Sequence, residues 1–370
     1  MPSTTDTIPS GRIVSIDALR GFDMFWIIGG DGFFRALFKW FDIPFFTALA
    51  HQFHHAEWDG FRFEDLIFPL FLFIVGLCLP FSITKRLDRG DSRTTLYKHI
   101  ILRSVLLLVL GLLFNGILNF EFESLRYAGV LQRIALCYFF TSLIVMNTGI
   151  KNQAIWAGSI LILYCAAMKY IPVPGFGAGQ ITPEGNLASY VDRLLLPGKF
   201  CCFEFGDNEG LLSTIPAIST TLIGVLCGHW LRSVSSPAKK VQWLIIAGVV
   251  SLVAAILWNF IFPINKLVWS SSYVLFAAGW SMILLGVFYW IIDIRGLKKW
   301  AFPFIIIGLN PITIYMAQRI IDFGDITKFF VGGLAGFMGD LRPAFMIACV
   351  FLVKWLFLYF LYSKKIFLKV

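Results

Sequence analysis

Of the 370 residues, 58% are hydrophobic, 17% aromatic and only 14% charged, with a formal net charge of +9, far from the soluble average of about a quarter charged residues. This balance excludes a water-soluble globular domain and a disordered chain, and with no soluble basic module it also excludes nucleic acid as a partner. Apolar runs long enough to cross a ~30 Å hydrocarbon layer recur throughout and the period-two pattern of a membrane barrel is missing, so the expected fold is all-α, a polytopic bundle of about ten transmembrane helices.

Met1 to Arg12 are polar, without a charged n-region or a small-residue cleavage site, and read as a cytoplasmic tail rather than a signal peptide. Spans are expected at 13–32, 61–84, 100–119, 128–147, 153–171, 211–231, 241–262, 268–292, 301–321 and 343–363, a single membrane domain over 13–363 that ends in a basic tail, 364–370. Basic residues gather in alternate connectors, from Lys85 to Arg103, at Lys151, from Arg232 to Lys240, from Arg295 to Lys299 and at Lys364, Lys365 and Lys369. The loop 172–210 is instead rich in Gly, Pro and acids, so the positive-inside rule predicts cytoplasmic N- and C-termini. On this reading the positive charge reports topology and contact with anionic lipid head groups.

The first span opens with Ser15-Ile16-Asp17-Ala18-Leu19-Arg20-Gly21, where the three-residue spacing puts Asp17 and Arg20 on one helix face. They form either an ion pair that sets the depth of the helix or part of a ligand site. Asp23 and Asp31 bring the carboxylates in this span to three, which calls for a polar cavity rather than lipid. After the break at Gly29-Gly30-Asp31-Gly32, residues 33–50 alternate aromatic clusters with Arg35, Lys39 and Asp42, as in a helix lying in the interface plane.

His51, His54 and His55 follow within five residues, but no Cys or acidic residue completes a zinc spacing, and no metal is expected. His55 opens His55-Ala56-Glu57-Trp58-Asp59-Gly60. An imidazole that titrates near neutral pH is costly beside hydrocarbon, which points to catalysis; the plainer reading is an interfacial histidine bonded to a loop carbonyl. On a helix, Asp59 would meet the ring, and Asp65 at the mouth of the next span is the second candidate to orient it.

Other polar residues cluster at span ends: Asn115 and Asn119, Gln132 and Arg133, Asp207-Asn208-Glu209, Asn265-Lys266 and Asn310-Pro311. Most fall in the outer half of the bundle, as an outward-open site requires. Pro311 frees a backbone carbonyl that Asn310 can satisfy, unless Asn310 is only a kink residue. Five of the seven cysteines lie in spans as packing residues, while the neighbours Cys201 and Cys202 are expected to be free thiols or to serve another role. No Asn-x-Ser/Thr sequon occurs, which favours a prokaryotic source, and Walker, dinucleotide, G-x-S-x-G and H-E-x-x-H motifs are missing.

Taken in order, the segments Ser15–Gly21, His55–Gly60 with Asp65–Pro69, Gly129–Arg133, Gly185–Ala188 with Asp192-Arg193, Glu209–Pro216 and Asn265–Tyr273 resemble the heparan-alpha-glucosaminide N-acetyltransferase family and its bacterial relatives within the transmembrane acyltransferases. The resemblance implies a membrane enzyme that moves acetyl from cytoplasmic acetyl-coenzyme A (acetyl-CoA) to the amine of glucosamine, or of a terminal glucosaminide, on the far side. It also implies a homodimer in a bacterial inner membrane. The family's active-site histidine falls on His55. The linker from Gly30 to His55 is longer than in the lysosomal members, so Asp59 and Asp65 both stand as its partner.

Under that resemblance His55 serves as general base or carries the acetyl group itself, direct transfer being preferred because it needs no second activating group. Arg20, Asn115, Arg133 and Asn310 are the candidate acetyl-CoA contacts, with Asn115 or Asn310 as amide donors to the arm or the oxyanion. Asp207 and Glu209 are the candidate sugar contacts. Two competing readings remain: acyl transfer to another cell-surface glycan, and a non-enzymatic amino-sugar permease, which the lack of an internal repeat disfavours.

Overall fold

The computed structural model of the protein describes residues 13–41 and 43–368; the tail before Ile13, Asp42 and the last two residues lie outside it. In chain order the helices are α1 (Val14–Phe25), α2 (Asp31–Phe41), α3 (Pro44–Gln52), α4 (Glu64–Leu87), α5 (Arg93–Phe114), α6 (Val130–Asn147), α7 (Ile150–Tyr170) and α8 (Leu187–Leu195). A two-residue hairpin, β1 (Cys202–Phe203) with β2 (Gly206–Asp207), separates these from α9 (Leu211–Arg232), α10 (Pro237–Asn259), α11 (Ser271–Phe288), α12 (Phe302–Leu309), α13 (Pro311–Ile320), α14 (Phe323–Ala335) and α15 (Arg342–Ser363). The protein is an all-α polytopic membrane protein. Among the described residues, seven helical stretches are long and apolar enough to cross a membrane: α4, α5, α6, α9, α10, Ser271–Ile294 and the bent stretch Phe323–Ser363.

Several elements differ from expectation. The interface helix over 33–50 is two helices, α2 and α3, the second opened by Pro44 at its first turn. The span at 301–321 is divided at Asn310 into α12 and α13, because Pro311 cannot continue the backbone ladder. The carbonyl that Pro311 frees, Ile307 O, is met by the backbone N–H of Asn310 at 3.2 Å, while the Asn310 side chain accepts from Leu368 N and donates to Ile366 O, pinning the C-terminal segment. An unforeseen helix, α14, precedes the last span and joins it through a bend at Gly339, whose φ is 52°. Cys201 and Cys202 are joined in a disulfide rather than free.

Local sequence accounts for where the helices begin. Ser92, Asn186 and Ser270 accept the backbone N–H three residues on, at 3.2, 2.8 and 3.3 Å, satisfying donors that have no partner within the helix. Small residues set the packing. An ideal Cβ on Gly76 would lie 1.8 Å from the carbonyl oxygen of Thr221, and one on Gly224 only 2.0 Å from that of Phe73. α4 and α9 thus meet backbone to backbone at the centre of the bundle, the close approach that van der Waals packing between membrane helices favours. α1 packs on α12 in the same way through Gly21 and Gly308. α5 and α10 turn exposed Leu, Ile and Val outward, as a lipid-facing surface requires.

The caps and loops divide between the two ends of the bundle. At one end Val14 N and Ser15 N are capped by Asp293, Arg93 bonds Met146 O, and Arg232 bonds Pro80 O. The opposite end gathers the loops 53–63, 116–129, 172–210 and 260–270, with His55, Asp65, Glu209 and Lys266. α1 reaches this end through a widened turn, Trp26–Gly30, made possible by Gly29 at φ 127°.

Candidate active site

Residues 55–62 form a loop, not a helix, so the four-residue spacing from His55 to Asp59 does not bring the two together. Asp59 instead accepts from Asn265 Nδ2 at 3.1 Å. The partner of His55 is Asp65, with Nδ1 2.8 Å from Oδ1. Asp65 is buried and its second oxygen accepts the backbone N–H groups of Ala56 at 3.1 Å and Arg62 at 3.0 Å. Its backbone carbonyl takes the buried hydroxyl of Tyr273 at 2.7 Å. The side chain of Arg62 donates to His55 O at 2.8 Å, Gly60 N bonds Ile264 O at 2.8 Å and the Trp58 indole bonds Ile181 O at 2.7 Å. The loop carrying His55 is therefore tied at both ends to its neighbours, while the imidazole side chain is 54% exposed.

Lys266 completes this group. Its Nζ lies 3.0 Å from His55 Nδ1 and 3.4 Å from Asp65 Oδ1. Burial lowers its ammonium pKa from the ordinary lysine value, and Asp65, Glu209 and Glu64 oppose that shift. When Nδ1 accepts from Lys266 the ring proton sits on Nε2; when Nδ1 carries the proton it donates to Asp65, and Nε2 keeps a free lone pair. That is the tautomer a base needs.

His55, Glu64, Glu209 and Lys266 open onto one cavity of about 260 Å³. Polar groups line it with Trp26, Asp31, Asn208 and Tyr315, whereas Met24, Ile67, Phe68, Phe71 and Ile134 give it an apolar wall between α1, α4 and α6. The two broken helices both border it, α1 at Trp26–Ile27 and the α12–α13 break at Pro311-Ile312. Asp31 pairs with Arg35 at 2.7 Å at its edge.

The loop 199–210 is built around Arg126. Its Nε and a terminal nitrogen hold Asp207 at 2.8 and 2.6 Å, and it also pairs with Glu209. Burial opposes the Arg126 charge, but Asp207 and Glu209 outweigh it and raise the guanidinium above the usual value. Asp207 further accepts from Cys201 N and Glu209 N, at 3.0 and 2.8 Å, and is buried, so its oxygens are committed within the protein rather than offered to a sugar. Glu209 reaches the cavity. Behind it Asp192 accepts from Asp207 N and Leu211 N at 3.2 and 2.9 Å; burial pushes its carboxyl up to about 6 against those bonds.

The candidate acetyl-CoA contacts stand apart from the cavity lining. Arg20 bonds Asp17 at 3.4 Å, Gly308 O at 3.2 Å and Cys78 Sγ at 3.0 Å. Asn115 donates to Arg126 O and Ala128 O at 2.7 and 2.9 Å, closing the turn that delivers Arg126. Arg133 is buried against Ser213, Thr214 and Gly210 O, with its guanidinium 4.7 Å from the Trp269 ring centroid. All three side chains serve internal contacts, and Asn310, as noted above, holds the C-terminal segment. Sequence reading missed Glu64, Arg126 and Lys266 as members of the site. Only Lys266 carried a signal, through its place in the polar pair Asn265-Lys266.

A family model described as "Heparan-alpha-glucosaminide N-acetyltransferase, catalytic" matches residues 12–257. The heparan-alpha-glucosaminide N-acetyltransferase of Mus musculus is 28% identical over 377 aligned residues, covering 87% of this chain and 56% of the mouse protein. Its counterpart from Homo sapiens is 28% identical over 326, covering 73% and 49%. The chain therefore spans about half the length of the curated relatives it matches. With a family model covering well over half of its residues, and with the His55–Asp65 pair inside the matched region, the chain belongs to the heparan-alpha-glucosaminide N-acetyltransferase catalytic family.

Proposed function

We propose that the protein is a transmembrane N-acetyltransferase that moves acetyl from cytoplasmic acetyl-CoA to the amine of glucosamine, or of a terminal glucosaminide, on the outer side of the membrane. The observation that carries this reading is the imidazole of His55, held by Asp65 through Nδ1 and open to a cavity between broken helices. The relatives' names supply the acceptor and imply the acetyl donor.

The chemistry follows from the geometry. A protonated amine has no lone pair, so the ammonium loses one proton before attack. As nitrogen adds to the thioester carbon, His55 Nε2 takes a second proton; as the carbon–sulfur bond breaks, that proton passes to the departing thiolate. The products are the acetamide, coenzyme A thiol and the proton released beforehand. An imidazole, which can both accept and return a proton, suits this shuttle. Asp65 stabilises the transient imidazolium, and Lys266, bonded to Asp65, holds the carboxylate in place. The apolar wall formed by Met24, Ile67, Phe68, Phe71 and Ile134 suits the acyl end of the pantetheine arm, which would enter from the end of the bundle where Arg20 lies. Glu209 is the sugar contact this reading keeps, since it alone of the two expected acids reaches the cavity.

The reading carries with it ten spans, cytoplasmic termini, a bacterial inner membrane and a homodimer, supported by the charge pattern of the connectors and by the family resemblance. Proteoliposomes with labelled acetyl-CoA inside and glucosamine outside test it. Labelled N-acetylglucosamine outside with wild type, and none with His55→Ala, is the expected result. Transport of unchanged glucosamine without acetylation would instead make the protein a permease.

A further inference from the structure

Three side chains on the cavity wall play no part in holding His55, yet each buries a polar atom that has no hydrogen-bond partner among the described residues. They are the indole N–H of Trp26, Oε2 of Glu64 and Oδ1 of Asn208. All three line the space that His55 faces. Trp26 and Asn208 are each only 8% exposed, so solvent does not satisfy them. A buried polar group without a partner costs about 1–3 kcal/mol, more when it is charged, and native interiors leave few such groups. Three in one cavity, two acceptors and one donor, are the complement of a ligand that carries both a positive charge and hydroxyls.

Glu64 decides which charge. It precedes Asp65 on the first turn of α4, and the two consecutive carboxylates are used differently. Asp65 is filled by His55, Ala56 N and Arg62 N. Among the described residues no ion pair reaches Glu64: Arg35 is bonded to Asp31 at 2.7 Å, and Lys266 points its ammonium at His55 and Asp65. One turn of helix thus presents an occupied acid that aims the imidazole and an unoccupied acid at the same cavity. At about 260 Å³ the cavity is small beside the ~300–1,000 Å³ usual for ligand clefts, which fits a single ring rather than an enclosed chain.

We propose that Glu64 receives the ammonium of an amino-sugar ring, while Trp26 Nε1 donates to one hydroxyl of that ring and Asn208 Oδ1 accepts from another. The inference deepens the N-acetyltransfer reading, on which it rests for an amine as acceptor. It makes Glu64 a specificity residue: a neutral sugar leaves the carboxylate unpaired in a buried site, and a site with an unpaired buried group rejects the analogue that lacks its partner.

Calorimetric titration of the purified full chain with glucosamine and with glucose, in the absence of acetyl-CoA, tests this directly. Wild type is expected to bind glucosamine at least tenfold more tightly than glucose. Glu64→Gln should bind the two alike, Glu64→Asp should recover part of the preference, and Trp26→Phe should weaken both sugars by similar factors. A wild type without preference, or a Glu64→Gln variant that keeps it, overturns the inference. Should Glu64→Gln fail to fold, the shorter carboxylate of Glu64→Asp must still weaken glucosamine and spare glucose, and equal binding to wild type would count against the site. Acetyl transfer measured in parallel separates the two readings. Glucosamine bound through Glu64 without any transfer refutes the transferase and leaves the ammonium site standing; transfer with an unchanged acceptor KM in Glu64→Gln does the reverse.

Discussion

His55 and Asp65 are ten residues apart in the chain and 2.8 Å apart in space, joined through Nδ1 and Oδ1. The other oxygen of Asp65 holds Ala56 N and Arg62 N, so the same carboxylate that orients the ring also shapes the loop presenting it. Local backbone order and side-chain chemistry thereby depend on one buried group.

Replacing Asp65 by Asn tests that dependence. The amide can offer an N–H to Nδ1, which favours the tautomer with the proton on Nε2 and removes the base. The expected loss in kcat is on the order of 10³–10⁴-fold, comparable to the loss when the acid of a serine-protease triad becomes an amide. Steady-state kinetics over a range of acetyl-CoA concentrations provide the check. A kcat within threefold of wild type would show that Asp65 does not set the tautomer.

Arg126 joins Asp207 to Glu209, and Lys cannot reproduce its fork. Arg126→Lys should free Glu209, raising the acceptor KM while leaving the acetyl-CoA KM near its wild-type value, and Glu209→Gln should produce the same split. The partly buried pair with Asp207 adds a stability cost of about 3–5 kcal/mol if it is broken outright, as Arg126→Met would do. Parallel KM measurements and thermal melts separate the two effects; a rise confined to the acetyl-CoA KM would place Glu209 on the wrong substrate.

Asp192 gives the loop a pH response. Its folded pKa of about 6 lies above the ordinary 3.8, so the folded state holds a proton that the unfolded state has released. The associated stability is fully present below the unfolded value and is lost as the pH rises through about 6. Asp192→Asn should flatten the melting temperature between about pH 4.5 and 7. Because the amide has one acceptor for the two N–H groups of Asp207 and Leu211, it should also cost about 1 kcal/mol at every pH. Melts of the two proteins across that range decide the matter, and parallel curves would locate the pH response elsewhere.

Gly224→Ala probes the central helix contact. The added methyl would meet the Phe73 carbonyl at 2.0 Å, so α4 and α9 must move apart. Destabilisation of about 1–3 kcal/mol is expected, as for other overpacked interiors. The same change at Gly158, whose Cβ would meet nothing within 4 Å, should be close to neutral in the same thermal assay. Equal stability of the two variants would remove the close approach as the reason for glycine at Gly224.

What the sequence determined by itself is the class of fold and most of the long helices, and it singled out His55 as a candidate. These follow from composition, apolar run length and the cost of a titratable ring at a membrane edge, all of which act over a few neighbouring residues. Tertiary structure decided the rest. Asp65 rather than Asp59 holds the ring because residues 55–62 are loop and the helical spacing does not apply. Lys266, 211 residues from His55, joins it only because the loop before α11 folds back over α4. Arg126 gathers Asp207 and Glu209 across more than 80 residues, and Arg133, Asn115 and Asn310 turn out to bond backbone or neighbouring hydroxyls rather than line the cavity. A polar residue at a span end has the same sequence signal whether it caps a turn or meets a ligand; which of the two it does depends on the groups that distant segments bring within about 3 Å of it.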